Sequence, residues 1–112
     1  MSILRMDEPE HGVVRRMVTA TSEAWTKARD DVPGAVAAMS GASQQLPSTQ
    51  VLTQQLTATL LLLHTDATTG QAPGVDDPAD WTRTIGIFTT AGVISKGQDA
   101  TVYWDSSFAP KG

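Results

Sequence analysis

The residues best suited to chemistry stand in the segment TLLLLHTDATTG, where a histidine and an aspartate follow four leucines. His64 and Asp66 have threonine hydroxyls beside them at Thr65, Thr68 and Thr69, and these are residue types that a nucleophile–base–acid relay uses. Their spacing does not match such a relay. A histidine at a helix end is stabilised by the negative end of the helix dipole and by unpaired carbonyls. We therefore predict a helix-end role for His64 and no catalytic residue in this segment.

A second group of residues with metal-ligand side chains lies near the start of the chain. His11 follows Asp7, Glu8 and Glu10, but their spacing matches none of the common histidine and carboxylate metal motifs. Acidic residues in the first turn of a helix are favoured by the positive end of its dipole, which explains these without a metal. The chain has no cysteine and no glycine-rich phosphate-binding motif, so we expect no metal and no cofactor.

Length, charge and composition narrow the function classes. The 112 residues suffice for a single domain, 1–112, and 40% of them are hydrophobic, which is typical of a globular protein. The formal net charge of −4 argues against nucleic acid as a partner, because phosphate binding depends on Lys and Arg. No apolar run approaches the ~20 residues of a membrane span, and no signal peptide is visible. We expect cytoplasmic synthesis and no membrane partner, with a virion or non-classical secretion as later destinations.

Hydrophobic periodicity predicts the elements that position these residues. Apolar residues at helical spacing predict helices, and two short β-branched runs around the polar turn KGQD predict a hairpin. The predicted helices cover about 9–29, 33–45, 48–65 and 78–91, the hairpin about 93–105 and the tail 106–112. The predicted fold class is α+β, mainly helical, with three to four helices followed by a C-terminal β-hairpin and a short arm. Leu56, Leu60 and Leu63 share one stripe, and we expect all three to be buried.

Five large apolar residues lie outside the predicted helical core. We therefore predict that they form an interaction surface. Leu61 and Leu62 widen the apolar surface in the final turn of the third helix, so this turn must be covered by the protein or by a partner. In a strand, Tyr103 and Trp104 would point to opposite faces, and Phe108 is isolated in the polar tail. A hairpin also leaves edge hydrogen-bonding groups open. These side chains are the predicted interface.

This surface predicts a function in assembly and no enzymatic activity. We expect a non-catalytic structural or protein–protein interaction component that self-associates or docks in a larger complex. A joining component of a phage virion and an accessory of a secretion apparatus are two contexts that would fit. In either context the partner is protein, as a homo-oligomer or a larger assembly.

Two alternatives stay open. Residues 79–105, with a helix followed by AGVIS, a polar turn and TVYW, resemble the last helix and wing of winged-helix proteins. The resemblance implies a DNA-binding regulator, whose recognition helix would present Thr82, Arg83, Gly86, Thr89 and Thr90. The other alternative is a small ligand-binding protein or enzyme, which requires a pocket that gathers His64 with acidic groups distant in sequence.

Overall fold

The computed structural model describes residues 8–110, and between these limits the chain forms four α-helices, three short 3₁₀ turns and loops. The helices are α1 (Glu8–Asp30), α2 (Val32–Met39), α3 (Thr49–Leu60) and α4 (Pro78–Thr90), and the 3₁₀ turns are Asp66–Thr68, Ala100–Val102 and Ser106–Phe108. No β-strand occurs within residues 8–110, so the predicted α+β class is wrong and the fold is helical. The second and third helices end earlier than the predicted 45 and 65.

Local sequence signals determine where three of the helices begin. The side chains of Asp31, Ser48 and Asp77 each accept a hydrogen bond from a first-turn backbone N–H, at 3.0, 3.3 and 2.8 Å. These residues are the N-caps of α2, α3 and α4, and α2 and α4 also have proline in the first turn. Asp31 therefore separates α1 from α2 and starts the second helix at once.

The buried core of the described residues is small. Val36 on α2 and Leu52 on α3 are 2% and 8% exposed, and these two helices contact each other. Leu56, Leu60 and Leu63 are half-buried, so the expectation that all three are buried is wrong. Since α3 packs mainly against the eight-residue α2, its partner helix is too short to cover the whole stripe.

The first strand of the predicted hairpin, in 93–105, does not form, because the chain closes the C-terminal end of α4 at this point. Gly92 has a φ of 76°, and its N–H donates to the carbonyl of Thr89 at 3.1 Å. The N–H of Val93 reaches back to the carbonyl of Phe88 at 2.9 Å. These two bonds form a Schellman motif, which satisfies the last carbonyls of the helix and turns the chain away from an extended course.

The second strand of the predicted hairpin is replaced by a 3₁₀ turn. The carboxylate of Asp99 accepts hydrogen bonds from the N–H and the hydroxyl of Thr101, at 3.0 and 2.7 Å. This local bonding competes with strand pairing and starts the turn at Ala100–Val102. Tyr103 and Trp104 therefore follow a turn and do not occupy opposite faces of a strand. The wing that a winged-helix domain requires is also missing from the described residues.

The C-terminal segment packs against α1. The side chain of Phe108 is 7% exposed, its ring meets the ring of His11 edge-on at 5.4 Å, and the guanidinium of Arg15 lies 4.9 Å from its centroid. Arg15 also donates to the carbonyl of Ser107 at 2.9 Å. The described part of the predicted arm, 106–110, is thus docked on its own chain, and residues 111 and 112 lie outside the described part.

The chain exposes more surface than is typical for its mass. Its accessible surface is 8209 Å², whereas a folded monomer of 11.9 kDa has about 6,000 Å². Its radius of gyration is 17.0 Å, against about 13 Å for a compact domain of this length. Within residues 8–110, no helix combines the length and the apolar character that crossing a bilayer requires.

Candidate functional site

A cleft of about 250 Å³ lies between the end of α3 and the first half of α4. Leu62, Leu63 and Val75 give it an apolar lining, to which one aromatic side chain and several polar groups are added. The polar and aromatic residues are His64, Thr65, Thr68, Asp76, Asp80, Trp81 and Thr84. They come from three separate segments, which the loop between the two helices brings together.

The loop that carries His64 is fixed by two threonines. The N–H of Thr65 donates to the hydroxyl of Thr68 at 3.0 Å, and Thr68 is 4% exposed. This bond is half of a capping box around the 3₁₀ turn Asp66–Thr68. Because the N-cap of this turn, Thr65, is the next residue after His64, the turn fixes the course of the backbone beside the cleft.

Asp80 joins this loop to α4. The hydroxyl of Thr65 donates to one carboxylate oxygen of Asp80 at 2.6 Å, and the guanidinium of Arg83 lies 3.6 Å from the other. The side chain of Asp80 is 21% exposed, whereas that of Arg83 is 71% exposed. Asp80 stands in the first turn of α4, where the helix dipole favours its charge. The result is a half-buried carboxylate in the wall of the cleft.

Trp81 contacts the second carboxylate of the cleft, Asp76, and the aromatic ring of Trp104. Its indole N–H donates to Asp76 at 3.3 Å, and its ring stacks on Trp104 with centroids 6.2 Å apart and planes at 15°. An offset aromatic pair of this kind contributes about 0.5–1.5 kcal/mol beyond its buried area. The aromatic wall of the cleft therefore depends on Trp104, which stacks on Trp81.

His64 is half-buried in this cleft, and the structure separates it from the sequence partner Asp66. Its Nδ1 atom is buried and has no hydrogen-bond partner among the described residues. Asp66 is exposed and does not line the cleft, and the hydroxyl of Thr65 donates to Asp80. The arrangement is not a nucleophile–base–acid relay. It does gather His64 with the distant carboxylates Asp76 and Asp80, as the ligand-binding alternative requires.

The predicted interface residues occupy different environments. Leu61 and Leu62 are 80% and 82% exposed, the highest values among the large apolar residues of the described part. Tyr103 is exposed, Trp104 is half-buried against Trp81, and Phe108 is buried against α1. The leucine pair is therefore the part of this set that a partner can reach most fully.

The structure also places the acidic residues near His11 and the α4 face named for the winged-helix alternative. Residues 8–110 contain no group of three histidine or carboxylate side chains placed to share a metal ion. Asp7 lies outside these residues, Glu10 is exposed, and His11 meets Phe108. The proposed DNA-reading face of α4, Thr82, Arg83, Gly86, Thr89 and Thr90, is exposed, but its single cation pairs with Asp80.

Sequence reasoning did not identify the carboxylates and the tryptophan of the cleft. Asp80 was visible as a first-turn acid of α4, and Trp81 as an apolar residue of the same helix. The bond from Thr65 to Asp80 joins residues 15 apart across a loop, and no residue pattern encodes such a contact. The one sequence signal for this contact is the acidic start of α4, which follows the loop that begins beside His64.

Comparison of the chain with protein-family models, curated proteins and solved structures finds no match. Function is therefore inferred from the residues of this chain. Two features are available: the exposed leucine pair that follows α3, and the cleft around His64.

Proposed function

We propose that this protein is a non-catalytic assembly module that associates with a second copy of itself. The supporting observation is the leucine pair, Leu61 and Leu62, which is 80% and 82% exposed directly after α3. Burying one leucine side chain stabilises a protein by about 1.5–3 kcal/mol. Two exposed leucines therefore leave unused a free energy that is large beside the total free energy of unfolding of a small domain, about 5–15 kcal/mol. An interface that covers the pair would recover that stabilisation.

The surface area supports an interface of ordinary size. The accessible surface exceeds the value typical of a folded monomer by roughly 2,200 Å². A stable protein–protein interface needs about 800 Å² from each partner, which is less than this excess. Association could therefore bury a standard interface and still leave an ordinary monomer surface.

The chain contains a surface that fits the leucine pair. An apolar groove of about 450 Å³ lies among α1, α2 and α3, and its walls include Ala24, Ala28 and Ala35. Small side chains leave room for larger apolar side chains from a partner. Because one chain presents both the leucine pair and the groove, we assign the groove's occupant as the leucine pair of a second copy.

Static light scattering over a concentration series tests the association. We expect the average mass of the wild type to rise with concentration, and the double variant Leu61→Ser/Leu62→Ser to remain monomeric. The matched control is Val13→Thr/Met17→Gln, which removes two other exposed apolar side chains and should associate as the wild type does. A wild type that stays monomeric at high micromolar concentration contradicts the proposal.

A complementation experiment tests the pairing of leucines with the groove. Ala24→Glu places a charge in the groove and should prevent association, whereas the control Ala58→Glu, at an exposed position of α3 outside the groove, should not. A mixture of Ala24→Glu with Leu61→Ser/Leu62→Ser should form a one-to-one heterodimer, because each variant supplies the surface that the other lacks. If the mixture stays monomeric although both variants are folded, the assigned contact is wrong.

A further inference from the structure

The cleft around His64 shares Leu62 with the leucine pair, but its polar and aromatic groups are not used by the proposed leucine contact, and they converge as they do in a ligand site. Its volume of about 250 Å³ is just below the range of pockets for drug-sized ligands, and it suits a single side chain or a small molecule. We propose that this cleft binds a guanidinium group, either of an arginine side chain or of a small guanidinium compound.

Charge is the first argument for a cation. The cleft is lined by two carboxylates, Asp76 and Asp80, and by neither lysine nor arginine. Arg83 pairs with Asp80, but it is 71% exposed and lies 3.6 Å away, longer than a charge-assisted hydrogen bond. Such an exposed pair contributes little, so a better-placed cation can replace it.

The aromatic wall favours a planar cation. Trp81 lines the cleft, and Trp104 stacks on it at 6.2 Å, which holds the indole in place. A guanidinium stacks on an aromatic face and at the same time forms paired hydrogen bonds with a carboxylate in its own plane. An ammonium group has no plane with which to do both. The combination of Trp81 with Asp76 and Asp80 therefore selects guanidinium.

Thr84 provides a further acceptor. This residue lines the cleft, and its hydroxyl can accept a hydrogen bond. A guanidinium carries five N–H donors, so it can bond to the carboxylates and still donate to this hydroxyl.

The test is a titration followed by NMR of the indole N–H groups, of which the chain has three. The probe is N-acetylarginine methylamide, and the matched neutral probe is N-acetylcitrulline methylamide, which has nearly the same shape without the charge. We expect saturable shifts of the Trp81 signal with the arginine probe, and binding at least about tenfold weaker with the citrulline probe. The lysine analogue should bind with intermediate strength. Equal binding of the charged and neutral probes overturns the proposal.

Variants locate the binding in the cleft. Asp80→Asn keeps an acceptor for Thr65 but loses the charge, and it should weaken the arginine probe about tenfold or more. Asp76→Asn is the second test, which decides the matter if Asp80→Asn does not fold. Glu23→Gln removes the same charge from α1, outside the cleft, and should bind the probe as the wild type does. Equal losses in all three variants would show nonspecific attraction and overturn the proposal.

Light scattering in the presence of the arginine probe distinguishes the two sources of the guanidinium. If the site accepts an arginine of a second copy, the saturated protein dissociates and Asp80→Asn associates more weakly than the wild type. If it accepts a separate guanidinium compound, saturation leaves the mass unchanged. Both results support the site, and the probe titration tests it even if the protein does not self-associate.

Discussion

Replacement of Phe108 by alanine should be among the most damaging single changes in this chain. The side chain is 7% exposed and is the contact through which the C-terminal segment packs on α1. The ring touches His11 edge-on and lies under the guanidinium of Arg15. Phe108→Ala removes both ring interactions and the burial of the side chain, and it leaves a space on the surface of α1.

The structure sets the expected magnitude. Phe→Ala at a buried position costs about 3–5 kcal/mol, which combines lost burial with the cavity that remains. We expect about 3 kcal/mol, the low end, because the space opens toward solvent and the neighbouring chain can relax. Phe88 provides a matched control, since it is 47% exposed on α4. Phe88→Ala should cost about 1 kcal/mol, because half of its area is already in water.

Urea unfolding followed by circular dichroism measures both variants. All samples should be compared at one protein concentration, because self-association would add to the stability of the wild type. The wild type, Phe88→Ala and Phe108→Ala should unfold at successively lower urea. If Phe108→Ala costs no more than Phe88→Ala, the docking of the tail on α1 contributes little and the reasoning is refuted.

Three further predictions concern local structure and pH. Gly97→Ala should lower the melting temperature, because an added Cβ would lie 2.8 Å from a methyl carbon of Ile85 and push the loop from α4. Gly86→Ala, with open space around it in α4, should instead raise stability by about 0.5–1 kcal/mol in urea unfolding. Hydrogen bonds from the Ser107 hydroxyl and N–H lower the pKa of Asp105 below its ordinary 3.8, so the ionised form stabilises the fold above that pH. This stability should be lost as pH falls from 3.8 through the lowered pKa, and Asp105→Asn should flatten that part of a melting-temperature profile.

Helix starts were predictable from sequence because their signals are local. The aspartates and prolines of DDVP and DDPAD act within four residues of one another, and the structure places N-caps at Asp31 and Asp77. The absence of the predicted hairpin from residues 93–105 could not be recognised from β-propensity alone. Gly92 and Asp99 form local hydrogen-bonded motifs that use the backbone groups a strand would need. β-Propensity is a property of single residues, whereas these motifs depend on which nearby carbonyl or carboxylate accepts each backbone N–H.

The candidate site was predictable only in outline. The sequence placed His64 at the end of a helix, whereas α3 ends at Leu60 and His64 lies in the loop that follows. The need for distant acids was clear from the chemistry of pockets. Which acids would meet it depends on the course of the loop 61–77, which has no periodic pattern. The position of Phe108 has the same origin, because its contact with Arg15 depends on the whole intervening fold.

The contact between Arg15 and Ser107 also has a consequence for the order of events in folding. The two residues are 92 positions apart, so the ribosome makes almost the entire domain before α1 can receive its C-terminal cover. Helices α2 and α3 are close in sequence and can pair early, since short loops close quickly and at low entropic cost. During that interval the surface of α1 that Phe108 later covers is open to solvent and to other nascent chains. Molecules cut just before Phe108 should therefore be captured by chaperones more often than the 112-residue chain.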